Sequence, residues 1–213
     1  MKYLSLIFIP AIFIVLFSCK KDQLEIPEPS PITYPNYGQL KVGNYWVYER
    51  FEIDTNGNET PLGIIDTCYI EKDTLIDGKT YFKYVRAPYL GLSTVSFIRD
   101  SMHYLVEHTG RIIFSSKIIG KVFREFSDPS EIFDIHDWMT DENKIISTPY
   151  GSFKTLTFQM IYYYEDSAQE FGHPIYKNYR YAENIGIVSE TLLWIHIDPN
   201  YIERRLVDYH IEQ

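Results

Sequence analysis

The chain predicts a mainly β, antiparallel fold with one or two short helices, and three features of its 213 residues carry that expectation. First, 19 Tyr, 13 Phe and 3 Trp make 16% of the chain aromatic, a population that suits pleated strands. Second, apolar and polar residues alternate over long stretches, the period-2 signature of strands with one face buried. Third, Asp77-Gly78 sits between two such runs, a dipeptide suited to the positive-φ positions of a tight hairpin. Ala and Leu, the residues that fill helices at least cost, are scarce, which argues against a helical bundle.

The first element is a leader. Lys2 precedes an apolar run over residues 4–17, interrupted by Ser5 and Pro10. At about 14 to 16 residues the run is shorter than the roughly 20 needed to span a bilayer, and its charged start and apolar middle are those of a secretory signal. Leu16-Phe17-Ser18-Cys19 closes it. This junction resembles the lipobox of bacterial lipoproteins, with Phe17 bulkier than the residue usual there. The resemblance implies acylation of Cys19, cleavage before it, and loss of residues 1–18 as a signal peptide. Two or three acyl chains, each contributing about 0.8 kcal/mol per buried methylene, hold a domain on a bilayer where one chain would not.

Cleavage leaves 19 basic against 29 acidic side chains, so the charge moves from −9 to −10. With that sign, and with Lys and Arg scattered along the chain, no nucleic-acid partner is expected. Lys20-Lys21-Asp22 partly resembles the signal that exports some Gram-negative lipoproteins to the cell surface, so lipid anchoring in the outer membrane, on either face, is the expected location. Residues 19–36 carry prolines at positions 27, 29, 31 and 35. They read as a semi-rigid tether of about 3.1 Å per residue where polyproline-like.

A single domain is expected over 37–213. Residues 45–53 alternate Tyr45, Val47, Glu49, Phe51 and Ile53 against Trp46, Tyr48, Arg50 and Glu52. Asp54 to Asn58 supply turn chemistry. Further strands are expected over 64–71, 74–76, 79–85, 95–99, 103–107, 111–114 and 122–126, spaced as in an antiparallel meander. Cys68 lies in an alternating stretch with no His or basic pair beside it, which predicts a buried, inert thiol. Asp128-Pro129-Ser130-Glu131 offers a helix start ahead of Ile132, Phe133, Ile135, Trp138 and Met139, and one helix is expected there. The longest strands follow, over 153–164, 176–182, 187–197 and 204–211.

Three segments resemble those of uncharacterised bacterial envelope lipoproteins. They are Leu40-Lys41-Val42-Gly43-Asn44-Tyr45-Trp46-Val47-Tyr48, Thr148-Pro149-Tyr150-Gly151-Ser152-Phe153-Lys154-Thr155 and Tyr181-Ala182-Glu183-Asn184-Ile185-Gly186-Ile187-Val188. In organisation such proteins are similar to the periplasmic lipoprotein carrier and receptor fold, a curved half-barrel around a helical plug. The resemblance implies a half-barrel-like sheet with a concave apolar face and carries no functional residue across. Gly43 and Gly186 read as turn positions that a Cβ would forbid.

Chemistry-bearing motifs are few. The six histidines show no zinc spacing, and no nucleophile elbow, phosphate loop or dinucleotide fingerprint occurs, so neither metal nor cofactor is expected. Asp134-Ile135-His136-Asp137 is the densest polar cluster; on a helix Asp134 and Asp137 would share a face. His196-Ile197-Asp198 could pair a base with an orienting carboxylate, but no serine or cysteine is tied to it. Tyr162, Tyr164, Tyr179 and Tyr181 form the candidate binding surface, because rigid rings suit glycan or protein partners. The alternative is a sheet packed by cross-strand tyrosines for stability. The leading expectation is a non-enzymatic, lipid-anchored envelope module for binding or assembly, its ligand an apolar molecule in the concave face or a partner protein on the rim. A glycan-binding module and an unrecognised hydrolase are the alternatives.

Overall fold

The computed structural model describes residues 33–89, 92–127, 132–164, 174–192 and 200–212. Twelve strands are present: β1 Tyr45–Ile53, β2 Glu59–Ile76, β3 Lys79–Tyr89, β4 Leu92–Ser101, β5 Tyr104–Glu107, β6 Ile112–Ser115, β7 Val122–Ser127, β8 Phe133–Ser147, β9 Ser152–Tyr164, β10 Ile175–Ala182, β11 Gly186–Leu192 and β12 Tyr201–His210. They form one antiparallel sheet in the order β6-β5-β4-β3-β2-β1-β12-β11-β10-β9-β8-β7. Every neighbour in the sheet is a neighbour in sequence except at the β1–β12 junction, where first and last strands pair.

Connectivity forces this sheet to curl. β6 and β7 are consecutive in sequence yet lie at opposite edges. Twelve strands about 4.8 Å apart would separate the edges by about 53 Å if flat, whereas the connection between Ser115 and Val122 reaches at most about 25 Å. The sheet therefore wraps, bringing Phe114 of β6 against Tyr181 of β10, with ring centroids 4.6 Å apart. Gly120 of the connection donates to the Met139 carbonyl at 2.9 Å. The edges do not pair with each other, so the half-barrel stays open.

The inner face holds the core. Trp46, Tyr48, Cys68, Ile70 and Tyr84 from the first six strands pack with Met139, Phe158, Tyr181, Val188 and Leu206 from the last six. Cys68 is fully buried, as its alternating stretch predicts. Tyr34–Gln213 form one compact unit, which takes in three residues of the expected tether: Asn36 caps Gln39 through its side chain and accepts from the Asn184 amide.

The resemblance motifs are folding devices. Asn44 is buried, donates to the Gln39 carbonyl at 2.6 Å and accepts from the Glu212 amide at 2.8 Å, so it ties both ends of the domain. Gly186 has φ +101°, and Trp46 lies against it, its indole N–H donating to the Ile185 carbonyl at 2.6 Å.

Two expectations are corrected. Residues 132–139 form no helix: β8 begins at Phe133, and Phe133, Ile135, Asp137 and Met139 point inward in strict alternation. A helix would have placed Phe133 and Ile135 about 200° apart around its axis, whereas a strand buries both. No helix occurs among the described residues, and the expected cap, 128–131, lies outside them. The runs at 64–71 and 74–76 are one 18-residue strand, β2, with a bulge between Ile70 and Lys72. The leader, the Cys19 junction and residues 20–32 also lie outside the described residues.

Candidate functional site

The four candidate tyrosines belong to the inner face. Tyr162, Tyr179 and Tyr181 are buried, and Tyr164 is half-buried. Phe133 meets Tyr162 edge-on at 5.8 Å and Tyr164 at 4.8 Å, and Phe158 stacks on Tyr179 at 5.7 Å. Burial pushes the Tyr162 and Tyr181 hydroxyls well above their ordinary value. These rings are packing partners rather than an exposed platform. Their strand neighbour Tyr163 faces out at 37% exposure, beside the His136 ring.

Among those rings runs a chain of buried charges that sequence inspection did not single out. Register places Arg50 of β1 opposite Arg204 of β12, and Arg204 opposite Glu190 of β11. Two arginines face to face would repel, and Asp66 of β2 resolves this. Arg50 grips Asp66 bidentately, at 2.7 Å in both contacts, while Arg204 reaches the same carboxylate at 3.4 Å. Arg204 also donates to Glu190 at 3.2 and 3.0 Å, and Arg86 of β3 reaches Glu190 from across the interior at 3.0 Å. Burial alone would raise the Glu190 carboxyl, but the Arg204 and Arg86 guanidiniums outweigh it and hold it below the usual carboxylate range. Arg86 also lies over the Tyr84 and Tyr179 rings, at 5.1 and 5.0 Å.

A second cluster sits near the edges. Asp137 of β8, fully buried, takes the Arg111 guanidinium on Oδ2 at 3.1 Å. Arg124 of β7 lies 2.9 Å from the same oxygen, but its N–H is not aligned on it, so that contact is ionic without a hydrogen bond. Burial pushes the Asp137 carboxyl up, with the two guanidiniums opposing. The expected Asp134/Asp137 face does not form. Strand geometry sends Asp137 inward and Asp134 outward to Ser127, at 2.7 Å. His196 and Asp198 lie outside the described residues.

Among the described residues the inner face is closely packed, with two small cavities. One cavity of about 20 Å³ lies beside Trp46, Ile70 and Tyr84. Another of about 40 Å³ lies among Arg86, Glu107, Arg111, Phe158, Tyr179 and Tyr181. Ligand pockets for small molecules run to roughly 300–1,000 Å³, so neither admits an acyl chain. The implied concave apolar face is thus occupied by the chain's own rings and crossed by ion pairs. A polar cleft of about 370 Å³ opens outside, beside Tyr37, Phe153, Thr155 and Glu183.

The outer face carries a cross-strand row. Register aligns Val95, Val85, Tyr69, Tyr45 and His210 on five adjacent strands. Tyr45 and Tyr69 are 36% and 38% exposed, and the His210 ring stacks on Tyr45 at 5.6 Å with a 21° tilt.

No protein-family model and no curated protein matches the chain. Two solved structures are similar in fold. One is a presumed lipoprotein of Parabacteroides distasonis, 12% identical, with a TM-score of 0.47 over 84% of this chain and 100% of that one. The other is a presumed exported protein of Bacteroides fragilis with a YmcC-like fold, 13% identical, with a TM-score of 0.45 over 83% of this chain and 98% of that one. At these values neither carries a function across.

Proposed function

We propose that this chain is a lipoprotein of the outer membrane, held by acyl chains on Cys19, that presents its β-domain on a proline-rich tether as a binding or assembly module. The observation that carries anchoring is the junction Leu16-Phe17-Ser18-Cys19, placed directly behind an apolar run too short to span a bilayer. A binding role is favoured over catalysis because Asp66, Glu190 and Asp137, the carboxylates of the inner face clusters, are engaged by arginines, and Cys68, the thiol near Arg204 and Glu190, is fully buried and pushed up by that burial. Cys19→Ala abolishes fatty-acid labelling and releases the protein from membranes on this reading. A variant that still labels and still sediments with membranes refutes it. Protease treatment of intact cells distinguishes the two faces of the membrane, since only a surface-displayed domain is cleaved.

On this reading a macromolecular partner binds the outer face, since the interior cavities among the described residues are small. A glycan is the second reading, favoured by the exposed rings of Tyr45 and Tyr69, which stand in register on adjacent strands with polar Thr67 and Asp208 on the neighbouring row. The double variant Tyr45→Ala/Tyr69→Ala then loses retention on insoluble polysaccharide while its melting temperature stays within about 3 °C of wild type, as expected for half-exposed positions. Retention unchanged in the double variant removes the glycan from this face.

A further inference from the structure

Arginine does not shed its proton in a protein, so a buried guanidinium needs a negative partner. On the inner face, among the described residues, each guanidinium meets that need only by sharing a carboxylate with another. Arg50, Arg86 and Arg204 share two carboxylates, Asp66 and Glu190. Arg111 and Arg124 share a single oxygen of Asp137. Lys177 lies on the same face, over the Tyr179 ring at 5.1 Å, and Glu107 lines the wall of the cavity of about 40 Å³. Six cationic groups therefore meet four carboxylates, in a chain whose overall charge is −9. The local excess is opposite in sign to the whole molecule.

The excess converges on a space. Arg86, from β3, and Arg111, from the β5–β6 turn, both line this cavity, and the Nε of Arg86 is buried with no hydrogen-bond partner. The other walls are apolar or aromatic: Ile113, Phe158, Met160, Tyr179 and Tyr181. Against such walls a charge–charge attraction is stronger than in open water. Room for about three water molecules suits a carboxylate or a tetrahedral oxyanion and excludes an acyl chain.

We propose that this cavity is a binding site for one small oxyanion, a carboxylate or phosphate group held between Arg86 and Arg111, supplied either as a free anion or as the head of an anionic lipid whose tail stays outside. The site is independent of the anchoring of the chain. Tyr179 and Tyr181, first considered as exposed rings, become its walls. Glu107 opposes the anion and limits its affinity, which makes it the informative position to change.

The full-length protein in detergent micelles is titrated calorimetrically with sodium acetate, inorganic phosphate and dihexanoyl phosphatidic acid, with ionic strength held constant by sodium chloride, whose anion is not an oxyanion. Saturable binding of one equivalent is expected for at least one probe. Binding of acetate or phosphate identifies a free anion as sufficient; binding of the short-chain lipid alone identifies the headgroup as the source. Glu107→Gln removes the opposing charge and breaks no ion pair among the described residues, and tightens binding roughly three- to tenfold. Arg111→Gln weakens it, by about tenfold or more, but also strips a partner from Asp137, so Glu107→Gln decides. Absence of saturable binding by all three probes, or an affinity unchanged or weakened in Glu107→Gln, overturns the proposal.

Discussion

Glu190→Gln is the most direct probe of the interior ion pairs, because it keeps the side chain's shape and removes its charge. Glu190 is 3% exposed and accepts three hydrogen bonds, two from Arg204 at 3.2 and 3.0 Å and one from Arg86 at 3.0 Å. After substitution Arg86 has no carboxylate, and Arg204 keeps only Asp66 at 3.4 Å, which Arg50 already holds. Breaking a buried pair by removing one partner costs about 3–5 kcal/mol, and the amide oxygen still accepts a bond, so about 3 kcal/mol is expected. Tyr34–Gln213 is a unit of about 180 residues. At roughly 2.1 cal/mol/K per residue its unfolding entropy is about 0.38 kcal/mol/K, and the loss corresponds to a melting temperature lower by about 8 °C. Thermal unfolding followed by tryptophan fluorescence at pH 7 measures it. The folded Glu190 carboxyl titrates below the ordinary range, so the stability it contributes is complete above the unfolded value of about 4.3 and disappears as pH falls through the folded value. The gap between wild type and variant must therefore close on acidification. A shift under about 2 °C at pH 7, or a gap that persists unchanged well below pH 4, refutes the assignment of these charges as a stabilising network.

Two further outcomes test the packing. Gly186→Ala adds a Cβ 3.2 Å from the Trp46 indole at a backbone φ of +101°, costing about 1–3 kcal/mol and shifting Trp46 emission to the red; Gly78→Ala, at φ +72° with open space around it, costs less. A melting temperature for Gly186→Ala equal to wild type would mean that Trp46 does not depend on this glycine. Cys68 is fully buried and burial pushes its thiol up, so a thiol reagent at pH 8 labels it only after denaturation. Rapid labelling of the native protein contradicts its place in the core.

How much of this was legible in the sequence depended on whether the inward positions were apolar. β1 runs over Tyr45–Ile53, the alternating segment itself, and the Asp77-Gly78 turn joins β2 to β3 with both residues at positive φ, +49° and +72°. Residues 132–139 misled for a physical reason: the third inward position is Asp137, a carboxylate where the alternation calls for an apolar side chain, and its solvation is replaced by Arg111 and Arg124 from elsewhere in the chain. The tyrosines show a different limit. Alternation establishes that Tyr162 shares a face with Tyr164 and Tyr179 with Tyr181, but which face is inside depends on what the sheet wraps around. The ion pairs were further out of reach, since Arg86 and Glu190 lie 104 residues apart and Asp66 and Arg204 lie 138 apart. One local signal did exist: Arg50 stands in phase with Trp46 and Tyr48, the two most deeply buried aromatics of β1, so its charge had to meet a partner inside.

That phase argument also explains why an open sheet carries charge in its interior. β11 is buried at all seven residues, and a strand covered on both faces gains little from apolar contacts that tell one register from another. A slip of two residues between β11 and β12 keeps every side chain on its face, and for apolar residues it costs only imperfect packing. It would, however, move Arg204 from Glu190 to face Val188 or Leu192, taking a buried guanidinium off its carboxylate and leaving Glu190 with Arg86 alone. The penalty is several kcal/mol, comparable to a large fraction of a domain's net stability. Arg86 extends the same constraint across the lumen, because β3 and β11 are separated in the sheet by β2, β1 and β12 and meet only when the sheet wraps to one curvature. The ion pairs thus select a register and a closure, and two of the arginines that share those carboxylates, Arg86 and Arg111, also line the small interior cavity.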